Sequence, residues 1–356
     1  MKNKNNTLLV TTSLGLFIGA IINLIQQYFE TKERQEDFGW DKIDWKRTGK
    51  SALIGGAVGL AAGAVIKLVG EEEEEFYPSH HLNKVLRQHS LAQNPQVLEQ
   101  AIEKRNEIKE FLIEYFANDL VGNPLNWGSY SHGTANSSNF DLDIIVPFSR
   151  NIGSLKAMHQ KVYKAIDKHF DDSEVELVRL QGKSIGVKYN INGEEMFIDI
   201  VPGREINNYK RDNELKLYVS PGKYGGKSSS IKTNTKVHKA EITGLTDERK
   251  LTRLTKIWRD RHGLNFKSIA IRNMVINAFD CNSSNIPYDI FGKLEMVLKY
   301  IQENVKVLRI VDSANSNNII SDSMTIQEKS RIADQAAYDL ARLAKDPNYL
   351  ENLFKL

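Results

Sequence analysis

Two acids separated by one residue, Asp141 and Asp143 in the run Phe140-Asp141-Leu142-Asp143-Ile144, are the side chains of this sequence most able to do chemistry. In an extended chain successive side chains alternate faces, so both carboxylates project to one side and Leu142 and Ile144 to the other. Like charges that close stay ionised only with a cation between them. Oxygen donors of this kind suit a hard divalent ion, magnesium by default with manganese as its substitute. Just upstream, Trp127-Gly128-Ser129-Tyr130-Ser131-His132-Gly133-Thr134 supplies a small, hydroxyl-bearing turn. Gly128 and Ser129 would let backbone amides approach a polyphosphate without obstruction, the Ser129 hydroxyl adding a donor.

A third acid, Asp199, lies 56 residues beyond Asp143, inside the apolar run Met196-Phe197-Ile198-Asp199-Ile200-Val201-Pro202. Unpaired there, its charge would cost on the order of several kcal/mol. A strand placed beside the Asp141/Asp143 strand would bring it to the same metal. Two-metal chemistry then follows, one ion activating an attacking hydroxyl and the other clamping a triphosphate, with Asp199 the expected proton acceptor. The three aspartates are thus expected to serve both as catalytic residues and as metal ligands.

These residues need a sheet to hold them. Phe140–Pro147, Glu174–Leu180, Ser184–Asn190 and Glu195–Val201 read as strands, punctuated by Gly182 and the Asn192-Gly193 turn. Ser154 to Phe170 reads as a helix between the first two, and residues 92–119 show apolar spacing near 3.6, giving one or two amphipathic helices. Gly222 to Lys236 has the composition of a loop or linker. Beyond it the spacing predicts helices over Asp247–Arg261, Lys267–Phe279, Tyr288–Asn304 and Thr325–Lys345. The expected fold class is α+β, a mixed sheet followed by a C-terminal helical domain.

The amino end differs from the rest. No charged residue occurs from Asn5 to Phe29, and a second apolar run covers Ala52 to Ile66. Gly15 and Gly19 in the first run, and Gly55, Gly59 and Gly63 in the second, would let two helices pack closely. A hydrophobic helical hairpin over 1–72 is expected, closed by the acidic run Glu71 to Glu75. The first run approaches the ~20 residues that cross a bilayer, whereas the second is short for it. Six Lys/Arg in the 26–50 loop favour a cytoplasmic loop, which leaves the topology open. Membrane association through the hairpin is expected, with a catalytic domain over 73–245 and the helical domain over 246–356 both in the cytoplasm. The whole chain, at 356 residues with 41% hydrophobic and 26% charged, has an ordinary globular composition. A net charge of +3 argues neither for nor against nucleic acid, and the single cysteine, Cys281, excludes a disulfide framework and is expected in the core.

The active-site motifs resemble those of the DNA polymerase β-type nucleotidyltransferase superfamily. The run Ile198-Asp199-Ile200-Val201-Pro202 is similar to the corresponding strand of oligoadenylate synthetases and bacterial cGAS/DncV-like nucleotidyltransferases (CD-NTases). Arg253-Leu254-Thr255-Lys256-Ile257-Trp258-Arg259 and Leu264-Asn265-Phe266-Lys267-Ser268 resemble the helical segment that brings a lysine and a serine to the triphosphate in those enzymes. The resemblance covers residues 95–345. It implies a nucleotidyltransferase fold, phosphate contacts from Lys256 and Ser268 beside Gly128 and Ser129, and nucleoside triphosphates as substrates. It further implies an oligonucleotide second messenger, cyclic or linear, read by a downstream effector in antiviral defence. Transfer to RNA, a protein or a small molecule, and a nucleotide-binding membrane sensor without activity, are the rival readings.

Other motifs are weaker. Gly-Lys-Ser at 49–51, 182–184 and 226–228 lacks the upstream glycine of a P-loop. His80, His81 and His89 read as surface histidines rather than metal ligands. His132 could touch nucleotide or be structural. Lys223, Lys227, Lys232, Lys236, His238 and Lys239 form a basic stretch that is either solvated surface or a phosphate- or RNA-facing patch.

Overall fold

Alternation of apolar residues places one face of each central strand in a core. Strand β2 (Asp141–Phe148) buries Leu142, Ile144, Val146 and Phe148 on one side, β5 (Glu194–Glu205) contributes Met196, Ile198 and Ile200, and β4 (Ile185–Ile191) adds Ile185, Val187 and Tyr189. Helices α2 (Pro95–Tyr115) and α3 (Leu155–His169) cover this face with Ala101, Ile108 and Leu112 and with Met158, Val162 and Ile166. Side chains start both helices: Asn94 accepts from the Val97 amide and Ser154 from that of Ala157, satisfying donors that the first helical turn leaves open. The computed structural model describes residues 76–356 apart from 138–140, 171–173, 192 and 222–225; the hairpin expected over 1–72 lies outside the described residues.

The sheet has the order β1-β2-β5-β4-β3, where β1 is Leu125–Trp127 and β3 is Val175–Leu180; β6 (Glu214–Val219) continues from β5, and β7 (Ser229–Asn234) from β6. Among the described residues only β2 and β5 pair in parallel, their connection carrying α3, β3 and β4. Strand β5 runs past the expected Val201 because it changes neighbours. Its pairing with β4 ends at Ile200 and that with β6 starts at Gly203. Pro202, which has no amide hydrogen, sits in the gap. A Cβ on Gly203 would come within 2.9–3.0 Å of Leu215 and Leu217, so glycine lets β6 close in.

Helices α5 (Thr246–Arg261), α6 (Ser268–Cys281), α7 (Ile290–Asn304) and α8 (Ile326–Leu343) form the second core together with α1 (Pro78–Gln88). Asp339, fully buried on α8, accepts hydrogen bonds from Trp258 Nε1 (2.8 Å) and the Tyr349 hydroxyl (3.0 Å), fixing α8 to α5. Residues Phe76–Leu356 make one compact unit containing both cores. No helix of the described residues is long and apolar enough to cross a membrane.

Three expectations need correction. Ser229–Asn234 within the expected linker is an edge strand, followed by the six-residue helix α4 (Thr235–Ala240), because pairing with β6 outweighs a polar composition. His81 is not a surface histidine: it is buried, with Nε2 2.6 Å from the Phe354 carbonyl and its ring beside Phe76. Cys281 is exposed at the last position of α6 rather than in the core.

Candidate active site

The parallel register sets Asp143 directly beside Asp199, with Asp141 opposite Phe197. All three acids are on the face opposite the α2/α3 core, since they alternate with the buried Leu142, Ile144, Ile198 and Ile200. On the other side of β2, Trp127 pairs with Asp143, and the chain then enters a four-residue helical turn, Gly128–Ser131. Gly128 has φ +67°, and a Cβ there would fall on the Asp143 carboxylate. Both conformation and space therefore require glycine. The turn closes on itself, Ser129 O accepting the Thr134 amide at 2.9 Å.

Charge accumulates at this point. Burial, then Asp199 and Asp141, push the Asp143 carboxyl up to about 7 against the pull of Lys256. Asp141 is raised by burial despite Arg179 and Lys256. Asp199 is raised by burial and by Asp141, with Ser184, Arg179 and Gln181 opposing. Lys256, on α5, is lowered to about 8 by burial and by Arg259 and Arg253, and its Nζ donates to Thr134 O at 3.0 Å. One lysine thus faces Asp141 and also holds the end of the glycine turn.

Among the described residues no three acidic, imidazole or thiol side chains close on one point tightly enough to hold a metal ion. The donor set nevertheless fits a hard divalent cation. Asp143 and Asp199 occupy directly paired positions, and it is mutual repulsion, added to burial, that raises Asp143, a cost that a cation would remove.

Of the residues singled out in the sequence, Asp141, Asp143, Asp199, Gly128 and Lys256 come together. Ser129 lies in the turn beside them. Ser268 opens α6, where its Oγ accepts from Arg259 at 3.3 Å, and no hydrogen bond among the described residues joins it to the aspartates. His132 is buried in a polar cluster with its Nδ1 3.4 Å from Arg272, and burial and Arg272 push it down to about 4, so it is neutral. The basic stretch is partly neutralised, Lys232 pairing with Glu214 and His238 lying between Glu241 and Asp312.

Sequence reasoning missed the far wall. Ser184 Oγ lies 3.2 Å from Asp199 Oδ2 and 2.6 Å from Gln181 Oε1. Gly186 pairs with Asp199, and a Cβ there would collide with Gln181. Arg179 lends positive potential to Asp141 and Asp199, and Lys267 acts likewise on Lys183. The available signal was Gly182-Lys183-Ser184, a polar turn leading into the strand next to that of Asp199, which is informative once its P-loop reading is discarded.

No family model matches the sequence, and no curated protein matches it. Solved structures do match. CdnC of E. coli MS115-1, determined with ATP, superposes with a TM-score of 0.61 at 18% identity over 78% of this chain and 98% of that one. The CD-NTase CdnG of Bradyrhizobium diazoefficiens, in complex with GTP, gives 0.61 at 12% identity over 79% and 95%. The chain has the CD-NTase fold. A third member, the CdnE cyclic dinucleotide synthase of Elizabethkingia meningoseptica with GTP and Apcpp, gives 0.52 at 15% identity over 74% and 98%. CdnC has also been determined in complex with HORMA-deltaN. At these identities the likeness to CD-NTases is one of fold, and it agrees with the resemblance carried by the motifs.

Proposed function

We propose that the protein is a nucleotidyltransferase that joins nucleoside triphosphates into a cyclic or linear oligonucleotide signal for a downstream effector, in a defence setting. The observation that carries this reading is the parallel register setting Asp143 against Asp199 beside a glycine turn that admits no side chain. The fold, shared with proteins solved with ATP or GTP, supports it.

Asp141, Asp143 and Asp199 would hold magnesium or manganese, which when bound neutralises the triphosphate and lowers the pKa of the attacking hydroxyl. The protein's own residues do the rest. Gly128 and Ser129 bring backbone close to the phosphates. Lys256, mostly protonated at pH 7 with its pKa near 8, offers its ammonium to them. Asp199 Oδ1 takes the proton of the attacking hydroxyl while Ser184 steadies Oδ2. Ser268 is kept as a phosphate contact on the family resemblance.

The test is incubation of the purified full-length protein with labelled ATP, GTP, CTP and UTP, magnesium and no other acceptor. Mass spectrometry should reveal an oligonucleotide containing phosphodiester bonds; absence of any such product would sink the synthetase reading. Membrane attachment through residues 1–72 rests on the two apolar runs, and fractionation of a tagged full-length chain tests it. Recovery wholly in the soluble fraction would refute it.

A further inference from the structure

Arg105 on α2 is 5% exposed, yet its Nε and Nη1 have no hydrogen-bond partner. Its contacts are Tyr130, whose ring centroid is 5.6 Å from the guanidinium carbon and whose side chain also hydrogen-bonds it, and a long bond from Nη2 to Asn106 Oδ1 at 3.4 Å. One turn on, half-buried Lys109 donates to Asn126 Oδ1 at 3.4 Å. Burial and the neighbouring Arg105 both lower the Lys109 pKa. Among the described residues neither cation has a carboxylate partner. Two cations brought together and desolvated without an acid is an unfavourable arrangement for structure alone, and open donors on a buried guanidinium call for an anion.

The position is separate from the aspartates. Asn126 pairs with Ile144, whose side chain lies in the α2/α3 core, so this cluster is on the opposite face of the sheet from Asp143. Tyr130 belongs to the Gly128–Ser131 turn. An anion at Arg105 would therefore press on the back of the turn that carries Gly128 and Ser129.

We propose that Arg105, Lys109 and the Asn126 amide form a second anion site, for a phosphate dianion either free or as the terminal group of a small metabolite. The guanidinium gives directional donors from Nε and Nη1, the lysine a mobile charge and the amide nitrogen a further donor, a set suited to the several oxygens of a phosphate.

The test is calorimetric titration of the full-length protein, with EDTA present and ionic strength fixed, using inorganic phosphate in one arm and AMP in the other. It needs no turnover, so its failure is distinguishable from failure of the synthetase reading. Saturable binding is expected in at least one arm, phosphate alone indicating the free ion and tighter AMP a carried one. Lys109→Gln should weaken it about tenfold, Arg105→Gln should abolish it, and Lys256→Gln on the other face should leave it in place. If Arg105→Gln fails to fold, Lys109→Gln decides. No saturable binding in either arm overturns the site, as does binding unchanged by Lys109→Gln or lost in Lys256→Gln.

Discussion

At the scale of single residues, Asp143 concentrates the energetics of the site. Its carboxyl titrates near 7 in the fold against an ordinary value of 3.8. Between about pH 4 and 7 the unfolded chain releases a proton that the folded chain keeps, so the metal-free protein loses stability as pH rises through that window. Thermal melts in EDTA should show wild type falling relative to Asp143→Asn from pH 4 to 7, and magnesium should restore it at pH 7 and above. The same substitution should cut turnover on the order of 10³-fold, measured as product per enzyme. Gly128→Ala should cost about 1–2 kcal/mol by denaturant titration for its left-handed conformation alone, and more from the collision with Asp143. The three aspartates were legible because residue type and strand alternation announce them locally. Ser184, Gln181 and Gly186 were not: the polar turn at 182–184 marks a loop, but their place beside Asp199 is set by the pairing of β4 with β5, which a local pattern does not specify.

At the scale of elements, strands with apolar alternation were legible to within a few residues, and so were the long amphipathic helices. Strand β6 was passed over although Leu215 and Leu217 alternate and are buried, whereas β7 escaped because its stability comes from a neighbour rather than from its own composition. Ser229, Ser230, Lys232 and Asn234 supply little β preference or apolar surface. The junction at Pro202-Gly203 makes that dependence testable. Gly203→Val should destabilise the protein by about 2 kcal/mol through overpacking against Leu215 and Leu217. Hydrogen exchange should locate the loss of protection first in β6 and β7, with β2 protected longest.

At the scale of the whole molecule, the glycine turn depends on both cores. Arg253 on α5 donates from Nη2 to Leu86 O (2.7 Å) and His89 O (3.0 Å) at the end of α1, and from Nε to Asn136 Oδ1 (3.1 Å) just beyond the turn. Arg253→Met takes the Arg253 donor from Leu86 O and Asn136 Oδ1, while His89 O keeps the Ser137 amide, and should cost about 2 kcal/mol in stability. It should also raise KM for nucleoside triphosphates more than it lowers kcat, because it loosens the segment to which Lys256 is bonded. The partnership of Asp143 and Asp199 has a kinetic side as well. Their strands are parallel and 56 residues apart, so no local hairpin can assemble them. Helices can form early, but the site exists only after a long chain segment, with its own helix and two strands, has closed. During refolding the helical signal should therefore recover before magnesium binding does, and a newly synthesised chain would carry its helices before it carries the paired acids.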